Sequence, residues 1–335
     1  PYQAPNLAMI VLAWNCRGLA RAAAKRALRA LIRDVGPDVV FLSETKIPID
    51  RVRKFLMSLG FYNLDFVNPK GRKGGLIVGW KIGVDMEITS KCNNMINALV
   101  FSDPVNEPWM ISLLYGPPNR NNRGTFWEDV DKVGDAFNRG WLCLGDFNHV
   151  FSQANKKGGK PVATPSNGGP NAVIDKNGLI DLQFSENPYT WSNKREGLAN
   201  IKERLDRGFA NERWRFISPR ATVKHVPASS SDHSPIVLNT NGEQGQGKKP
   251  FKFVDGLEMK PACLLLRMLG RKGSMGPLCS KFARRSRRQR KTCVDGIEIG
   301  LEISRPRLRR NGISLIKSRR KSPYQRTWRK KLIQI

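Results

Sequence analysis

Residues 141–148 read W-L-C-L-G-D-F-N. Four apolar residues are too few for a helix and suit a buried strand. Gly145 stops the run, and Asp146 and Asn148 follow at its end. The same grammar recurs along the chain. Ile10–Trp14 delivers Asn15, Val39–Ser43 delivers Glu44, and Met110–Leu114 delivers Tyr115. Asp232 and His233 stand just before Ile236–Leu238, and Asp206 lies within R-L-D-R at 204–207. In α/β folds, loops at one edge of a sheet bring such groups into one site.

Between these strands lie helical patterns. Ala20–Val35 has helical spacing (Leu28, Leu31, Ile32) and stops at Gly36-Pro37. Asp50–Leu59 is a short amphipathic helix closed by Gly60, and Thr125–Phe137 is a third helix. Further strands are expected at 76–80, 84–88, 96–101, 109–115, 179–182, 189–191, 204–209 and 221–226, with a Gly/Pro/Lys-rich loop over 155–171. Many strands with interspersed helices predict an α/β (α+β) class protein: two mixed sheets packed face to face, with helices outside.

Composition sets the limits. The 335 residues are 40% hydrophobic, enough for a sizeable core, and carry a net charge of +30. No apolar run approaches the roughly 18 residues of a membrane span. Six cysteines without a C-x-x-C pair and three histidines argue against a zinc finger, and Cys16 and Cys143 read as small buried thiols. Charge is uneven: residues 241–335 hold 26 Lys and Arg against 6 Asp and Glu, which is +20 of the total. We therefore expect a folded domain over 1–240, a glycine-containing linker over 241–250, and a basic tail over 251–335.

Seven motifs follow in order: W-N-C-R-G (14–18), S-E-T-K (43–46), L-Y-G-P-P (114–118), G-D-F-N (145–148), Y-T-W-S-N (189–193), R-L-D-R (204–207) and S-D-H-S-P (231–235). Together they resemble the endonuclease/exonuclease/phosphatase superfamily, and within it the apurinic-like endonuclease domain of plant LINE-type non-LTR retrotransposons, over about residues 8–240. The resemblance implies a four-layer α/β sandwich and Mg²⁺-dependent phosphodiester hydrolysis, with Mn²⁺ as a substitute ion.

It also implies roles. Glu44 is the metal ligand, since a hard cation wants a carboxylate, and Asp232 is a second metal or water ligand. Asp146 positions and deprotonates the attacking water. Asn148 and Asn15 hold the phosphate and orient that water without adding negative charge. Tyr115 donates its hydroxyl to developing charge; the alternative is simple packing against Gly116-Pro117-Pro118. His233 contacts the scissile phosphate as imidazolium, and Asp206 orients it. Either Asp146 or His233 can be written as the base, and one-metal and two-metal chemistry both stand open. His149 reads as a loop residue, His225 as a structural histidine, and Trp191 and Trp214 as packing aromatics.

The expected partner is double-stranded DNA, and no membrane. Thr190 is expected near the DNA backbone by resemblance. Lys194, Arg195 and Arg207 flank the motifs at the active edge and suit salt-dependent phosphate contacts. The expected role is nicking target DNA in the nucleus to expose a 3′-hydroxyl for reverse transcription. The alternatives are a phosphatase or phospholipid hydrolase of the same superfamily, or a decayed DNA-binding remnant. In the parent elements a reverse transcriptase is normally fused downstream. Here no Y-x-D-D box occurs, the chain begins with Pro1, and the family likeness dissolves after Phe253. We read the chain as a fragment and its tail as frameshifted or disordered. Translating the coding DNA in the other two frames should then restore family-like helical sequence after Phe253; if neither frame does, the frameshift is refuted.

Overall fold

The computed structural model describes residues 8–102, 104, 107–162, 169–227 and 230–242. The expected linker, except for its first two residues, and the whole 251–335 tail lie outside them. Among the described residues are fifteen strands and five α-helices. The first sheet holds β1 (Ile10–Asn15), β2 (Val39–Ser43), β3 (Asn63–Val67), β4 (Leu76–Trp80), β14 (Thr222–His225) and β15 (Ile236–Asn239), in the order β14-β15-β1-β2-β4-β3. The second holds β5 (Met86–Cys92), β6 (Met95–Val100), β7 (Trp109–Tyr115), β8 (Trp141–Asp146), β10 (Ile180–Asp181) and β13 (Asp206–Ala210), in the order β10-β13-β8-β7-β6-β5. Three two-residue strands, β9 (Lys156–Lys157), β11 (Trp191–Ser192) and β12 (Lys202–Glu203), form a small third sheet. The helices are α1 (Ala22–Val35), α2 (Arg53–Ser58), α3 (Arg123–Ala136), α4 (Pro170–Lys176) and α5 (Glu212–Ile217).

The central strands are buried on both faces, so alternation assigns each residue to a layer. Val11 and Ala13 of β1 point to the other sheet and meet the set that includes Ile111, Leu113, Leu142 and Leu144. Leu12 and Trp14, one step out of phase, pack with Ala24, Leu28 and Leu31 of α1 and Leu56 of α2. The outer face of the second sheet does the same: Met110, Leu114, Trp141 and Cys143 pack with Phe126, Trp127 and Val130 of α3 and Ile174 of α4. The result is two mixed sheets face to face with helices on either side, as expected. α1 ends as its sequence dictates, with Gly36 left-handed at φ 65° and its N–H bonded back to Ile32.

Among the described residues, only two neighbouring pairs within the large sheets run parallel, β1 with β2 and β7 with β8. Each is a strand–helix–strand crossover, through α1 and α3, so Asn15, Glu44, Tyr115 and Asp146 come to strand ends at one edge. Two glycines permit this convergence. A Cβ on Gly145 (φ 144°) would lie 2.2 Å from the carbonyl oxygen of Leu114, and one on Gly116 would lie 2.1 Å from that of Phe147.

Several elements differ from expectation. β3 lacks an apolar run and is only half-buried throughout, which hides it in the sequence. α5 is one and a half turns started by Asn211, whose side chain accepts from the Trp214 amide. The helix expected over 50–59 is divided into a 3-10 turn at Ile49–Arg51 and α2. The loop expected over 155–171 carries β9 and the start of α4. No helix among the described residues is long and apolar enough to cross a membrane.

Candidate active site

Asn15, the last residue of β1, is 1% exposed. Its Nδ2 donates to Asp146 Oδ2 at 2.9 Å and to Glu44 Oε1 at 3.2 Å, which ties the two sheets together at the site. Glu44 follows β2 in a left-handed conformation, φ 51°. Its Oε1 also accepts from the Tyr115 hydroxyl at 3.1 Å, and its Oε2 pairs with Lys46 Nζ at 2.8 Å. Burial alone would raise this carboxyl. The Lys46 and Asn15 hydrogen bonds and the Lys46 and Arg17 charges overcome it and hold Glu44 below its ordinary value. Tyr115 moves the other way: burial and the Glu44 and Asp146 charges push its hydroxyl far up, so it remains a donor. Arg17, Lys46 and Asn148 share the positive φ of Glu44, so strained non-glycine backbone is concentrated around the site.

Asp146 ends β8 and is buried. Oδ1 accepts from the Asn148 amide at 2.8 Å, and Oδ2 from Asn148 Nδ2 at 3.2 Å as well as from Asn15. Across the ladder Asp206, first residue of β13, stands in register with Asp146. His233 Nδ1 lies 2.9 Å from Asp206 Oδ2 and 3.9 Å from Asp146 Oδ2. Burial would lower the imidazole, but the Asp206 and Asp146 charges and the Asp206 hydrogen bond outweigh it and raise His233. Burial, followed by the Asp206 charge, raises Asp146 against the opposing pull of His233. The histidine is thus held as imidazolium between two carboxylates.

The loop that bears His233 is sewn to β1. Ser231 Oγ donates to the Asn15 carbonyl at 2.8 Å and accepts from the His233 amide at 3.2 Å, while Trp14 Nε1 donates to the His233 carbonyl at 3.2 Å. Asp232 Oδ2 accepts from Trp191 Nε1 at 2.9 Å and from Arg17 Nη1. Trp191 is therefore a polar partner at the site rather than a packing residue. Trp214 is a core aromatic, edge-on to Trp109. His225 bonds Asn187 and stacks on Phe184; His149, kept neutral by burial and then by Arg123 and Arg207, lies edge-on to Trp127 and Phe151.

Two of the expected DNA contacts need correction. Arg207 is 2% exposed, and its guanidinium pairs with Asp181 and lies over Phe151. The period of two explains this: Asp206 points to the site, so its neighbour Arg207 points away. Thr190 is also buried, and its Oγ1 accepts from the amides of both Leu205 and Asp206 at 3.0 Å. It positions the start of β13 and offers no hydroxyl to a backbone. Lys194 and Arg195 are exposed, and Lys194 Nζ reaches the Ser231 carbonyl at 2.7 Å.

Sequence reasoning misses other groups. Arg17 and Lys46 lie inside W-N-C-R-G and S-E-T-K, where their neighbours carry the expected chemistry. Residues 69–75, P-K-G-R-K-G-G, form the turn between β3 and β4; the carbonyls of Gly74 and Gly75 accept from the amides of Lys46 and Thr45 at 3.1 and 3.2 Å. That fixes Lys70, Arg72 and Lys73 on the rim of a cavity of about 640 Å³ whose wall includes Glu44 and Tyr115. A Gly/Lys-rich turn directly before a buried strand is the available signal.

Among the described residues of the site, oxygen donors for a divalent cation occur in two places. Asp146, Asp206 and His233 have ligand atoms within 4.8 Å of one another. There His233 Nδ1 is already bonded to Asp206 at 2.9 Å, so an ion would have to displace that bond. Glu44 is ionised, faces the cavity and fits a hard cation better.

A family model described as the endonuclease/exonuclease/phosphatase family matches residues 12–233. The chain belongs to that family. Endonuclease/exonuclease/phosphatase folds are found among solved structures at low identity. An AP endonuclease from Leishmania major is 16% identical, with a TM-score of 0.52 over 71% of this chain and 89% of that one. The 3′ phosphatase NExo from Neisseria, bound to a product DNA hairpin, is 16% identical, with a TM-score of 0.51 over 69% and 98%. The endonuclease domain of TRAS1, a telomere-specific non-LTR retrotransposon, is 14% identical, with a TM-score of 0.48 over 70% and 98%. These likenesses concern the fold. No curated protein matches the sequence.

Proposed function

We propose that this endonuclease/exonuclease/phosphatase chain is a metal-dependent DNA endonuclease that nicks one strand of double-stranded DNA. The observation that carries the reading is the buried Asp206–His233 pair beside Asp146, next to an ionised Glu44 that opens into a lysine- and arginine-rimmed cavity. A duplex offers that rim a run of phosphates for its lysines and arginine to neutralise.

The reaction forms a bond from water oxygen to phosphorus and breaks the bond from phosphorus to O3′, which takes up a proton from solvent, leaving a 3′-hydroxyl and a 5′-phosphate. Asp146 accepts the proton of the attacking water, since His233 is already protonated. Asn15 and Asn148 hold the Asp146 carboxylate by hydrogen bonds from both sides. His233, with Nδ1 committed to Asp206, presents Nε2 to a phosphoryl oxygen as the charge on it grows. Tyr115 adds a neutral donor. A divalent ion, Mg²⁺ with Mn²⁺ as a substitute, would be held by Glu44 and would supply Lewis-acid neutralisation of the phosphate. In a retrotransposon the released 3′-hydroxyl primes a reverse transcriptase carried by the parent element, and the work is done on chromosomal DNA in the nucleus.

The test is conversion of supercoiled plasmid to open circles by the full chain with Mg²⁺. Nicking should vanish with EDTA and fall roughly a hundredfold or more in Glu44→Ala, Asp146→Ala and His233→Ala. A folded wild type that binds plasmid but never nicks it marks a decayed remnant. One that neither binds nor nicks but hydrolyses phosphorylated lipids or monoesters refutes the DNA reading.

A further inference from the structure

Asn97 is a polar residue in an apolar row. Along β6, Ile96, Ala98 and Val100 face the other large sheet, while Met95 and Leu99 face the helical layer of α3. Alternation puts Asn97 on the helix side, between Met95 and Leu99. It is 4% exposed, and its Nδ2 donates to Ser90 Oγ at 2.9 Å. Its Oδ1 is buried without a partner, which native proteins seldom leave so. The neighbouring backbone is shaped around it. Between β5 and β6, Ile88 stands opposite Ala98 and Ser90 opposite Asn97, so Thr89 is an extra residue in the ladder. A period of two would send Ser90 inward with Ile88; the bulge turns it outward to meet Asn97. Thr89 Oγ1 ties the bulge to the Asn97 carbonyl at 3.2 Å. Beside these groups lies a cavity of about 130 Å³ between the sheet and the last turn of α3. Leu99 and Met110 line its sheet side, and Val133, Ala136 and Phe137 its helix side. Helix α3 ends at Ala136 and Phe137 is extended, so no further helical turn covers the space. Met110 is five residues before Tyr115 on β7, roughly 17 Å along the strand, which sets this cavity apart from the active site.

We propose that this cavity is a separate ligand site for a small neutral molecule with an apolar ring and one hydroxyl group. Size sets the ring: an apolar cavity of about 150 Å³ accepts benzene. The unpartnered Oδ1 sets the hydroxyl. A wholly apolar molecule would leave that oxygen bare. Water would serve it, but the Leu99, Met110, Val133 and Phe137 side chains give an ordered water no further partners. A carboxylate would set its charge against Oδ1 and against the carbonyl end of α3. A hydroxyl can donate to Oδ1 while the ring covers the apolar wall, and it can equally accept from the amide if the side chain turns over. Thr89 and Ser90 are exposed and give the ligand its way in from the sheet edge. The proposal stands on Asn97, the bulge and the cavity, and does not depend on the nuclease reading.

Binding can be read by fluorine NMR on the full chain, with para-fluorophenol and fluorobenzene as probes. Para-fluorophenol should bind saturably and roughly tenfold more tightly than fluorobenzene, the usual effect of one added hydrogen bond. Asn97→Leu, which keeps the side-chain volume without the acceptor, should erase that preference. Ala136→Phe, at an exposed position near the end of α3, should plug the cavity and abolish binding of both probes. Circular dichroism confirms that each variant is folded. No saturable binding by folded wild type overturns the proposal. So does equal affinity for the two probes, and so does binding that persists in folded Ala136→Phe. A preference for the phenol that survives Asn97→Leu overturns the part given to Asn97 and with it the choice of ligand class.

Discussion

His233 has no meaning in isolation; its charge is set by Asp206 at 2.9 Å and Asp146 at 3.9 Å. Both His233 and Asp146 are raised, so nicking that needs ionised Asp146 and protonated His233 follows a displaced bell. The acid limb should stand above the ordinary aspartate value of about 3.9 and the alkaline limb above the ordinary histidine value of about 6.5, as values shared by the coupled pair. Asp206→Asn removes the largest influence that raises His233. The alkaline limb of kcat/KM should then move to lower pH. An unmoved limb would assign it to another group. Residue types at strand ends are legible in the sequence, because each polar group directly follows an apolar run. Arg17 is not, because its meaning lies in two acids 27 and 215 positions away.

At the scale of elements, β13 shows what a motif hides. R-L-D-R offers two arginines and an aspartate to a reader of the sequence, but pleating sends Asp206 to His233 and Arg207 to Asp181. Register, which the motif does not carry, decides between them. Thr190 belongs to the same lesson. Its hydroxyl is the acceptor for two buried amides at the head of β13. Thr190→Val leaves both unpaired, at about 1–3 kcal/mol each. Urea unfolding should therefore show a loss of about 2 kcal/mol or more, and kcat should fall while the Kd for duplex DNA stays put. Thr190→Ser should restore both. A weakened Kd with unchanged stability would return Thr190 to the DNA face. β3 escapes sequence reading for a simpler reason: as an edge strand, half-exposed throughout, it carries no apolar run.

For the molecule as a whole, the layers are legible and the electropositive rim is not. Buried strands announce themselves one at a time, whereas the rim draws on Lys46 after β2 and the turn between β3 and β4. If the substrate is a polyanion, these cations set the salt dependence of binding. Replacing Lys70, Arg72 and Lys73 with alanine should lower the slope of log Kobs against log salt by about 0.9 for each phosphate no longer neutralised, up to about 2.7. Fluorescence anisotropy on a labelled duplex measures it. Removing three charges from the outer helix, at Lys25, Arg26 and Arg29, should leave the slope nearly unchanged. Equal slopes for both triple variants would deny the rim any part in binding.

β1 pairs with β15 from Ile10 against Asn239 to Ala13 against Ile236, and Ser231 anchors the His233 loop to the Asn15 carbonyl. The first described strand thus waits for the last described one. During synthesis the proton acceptor and the hard-cation ligand emerge early, but the imidazolium that completes them arrives only when the ribosome has passed Asn239. On the proposed reading the nascent chain is chemically silent until then, and so is every product of a premature stop upstream of Ser231. If the chain nicks chromosomal DNA as proposed, it is armed by its last described strand, and truncation disarms it.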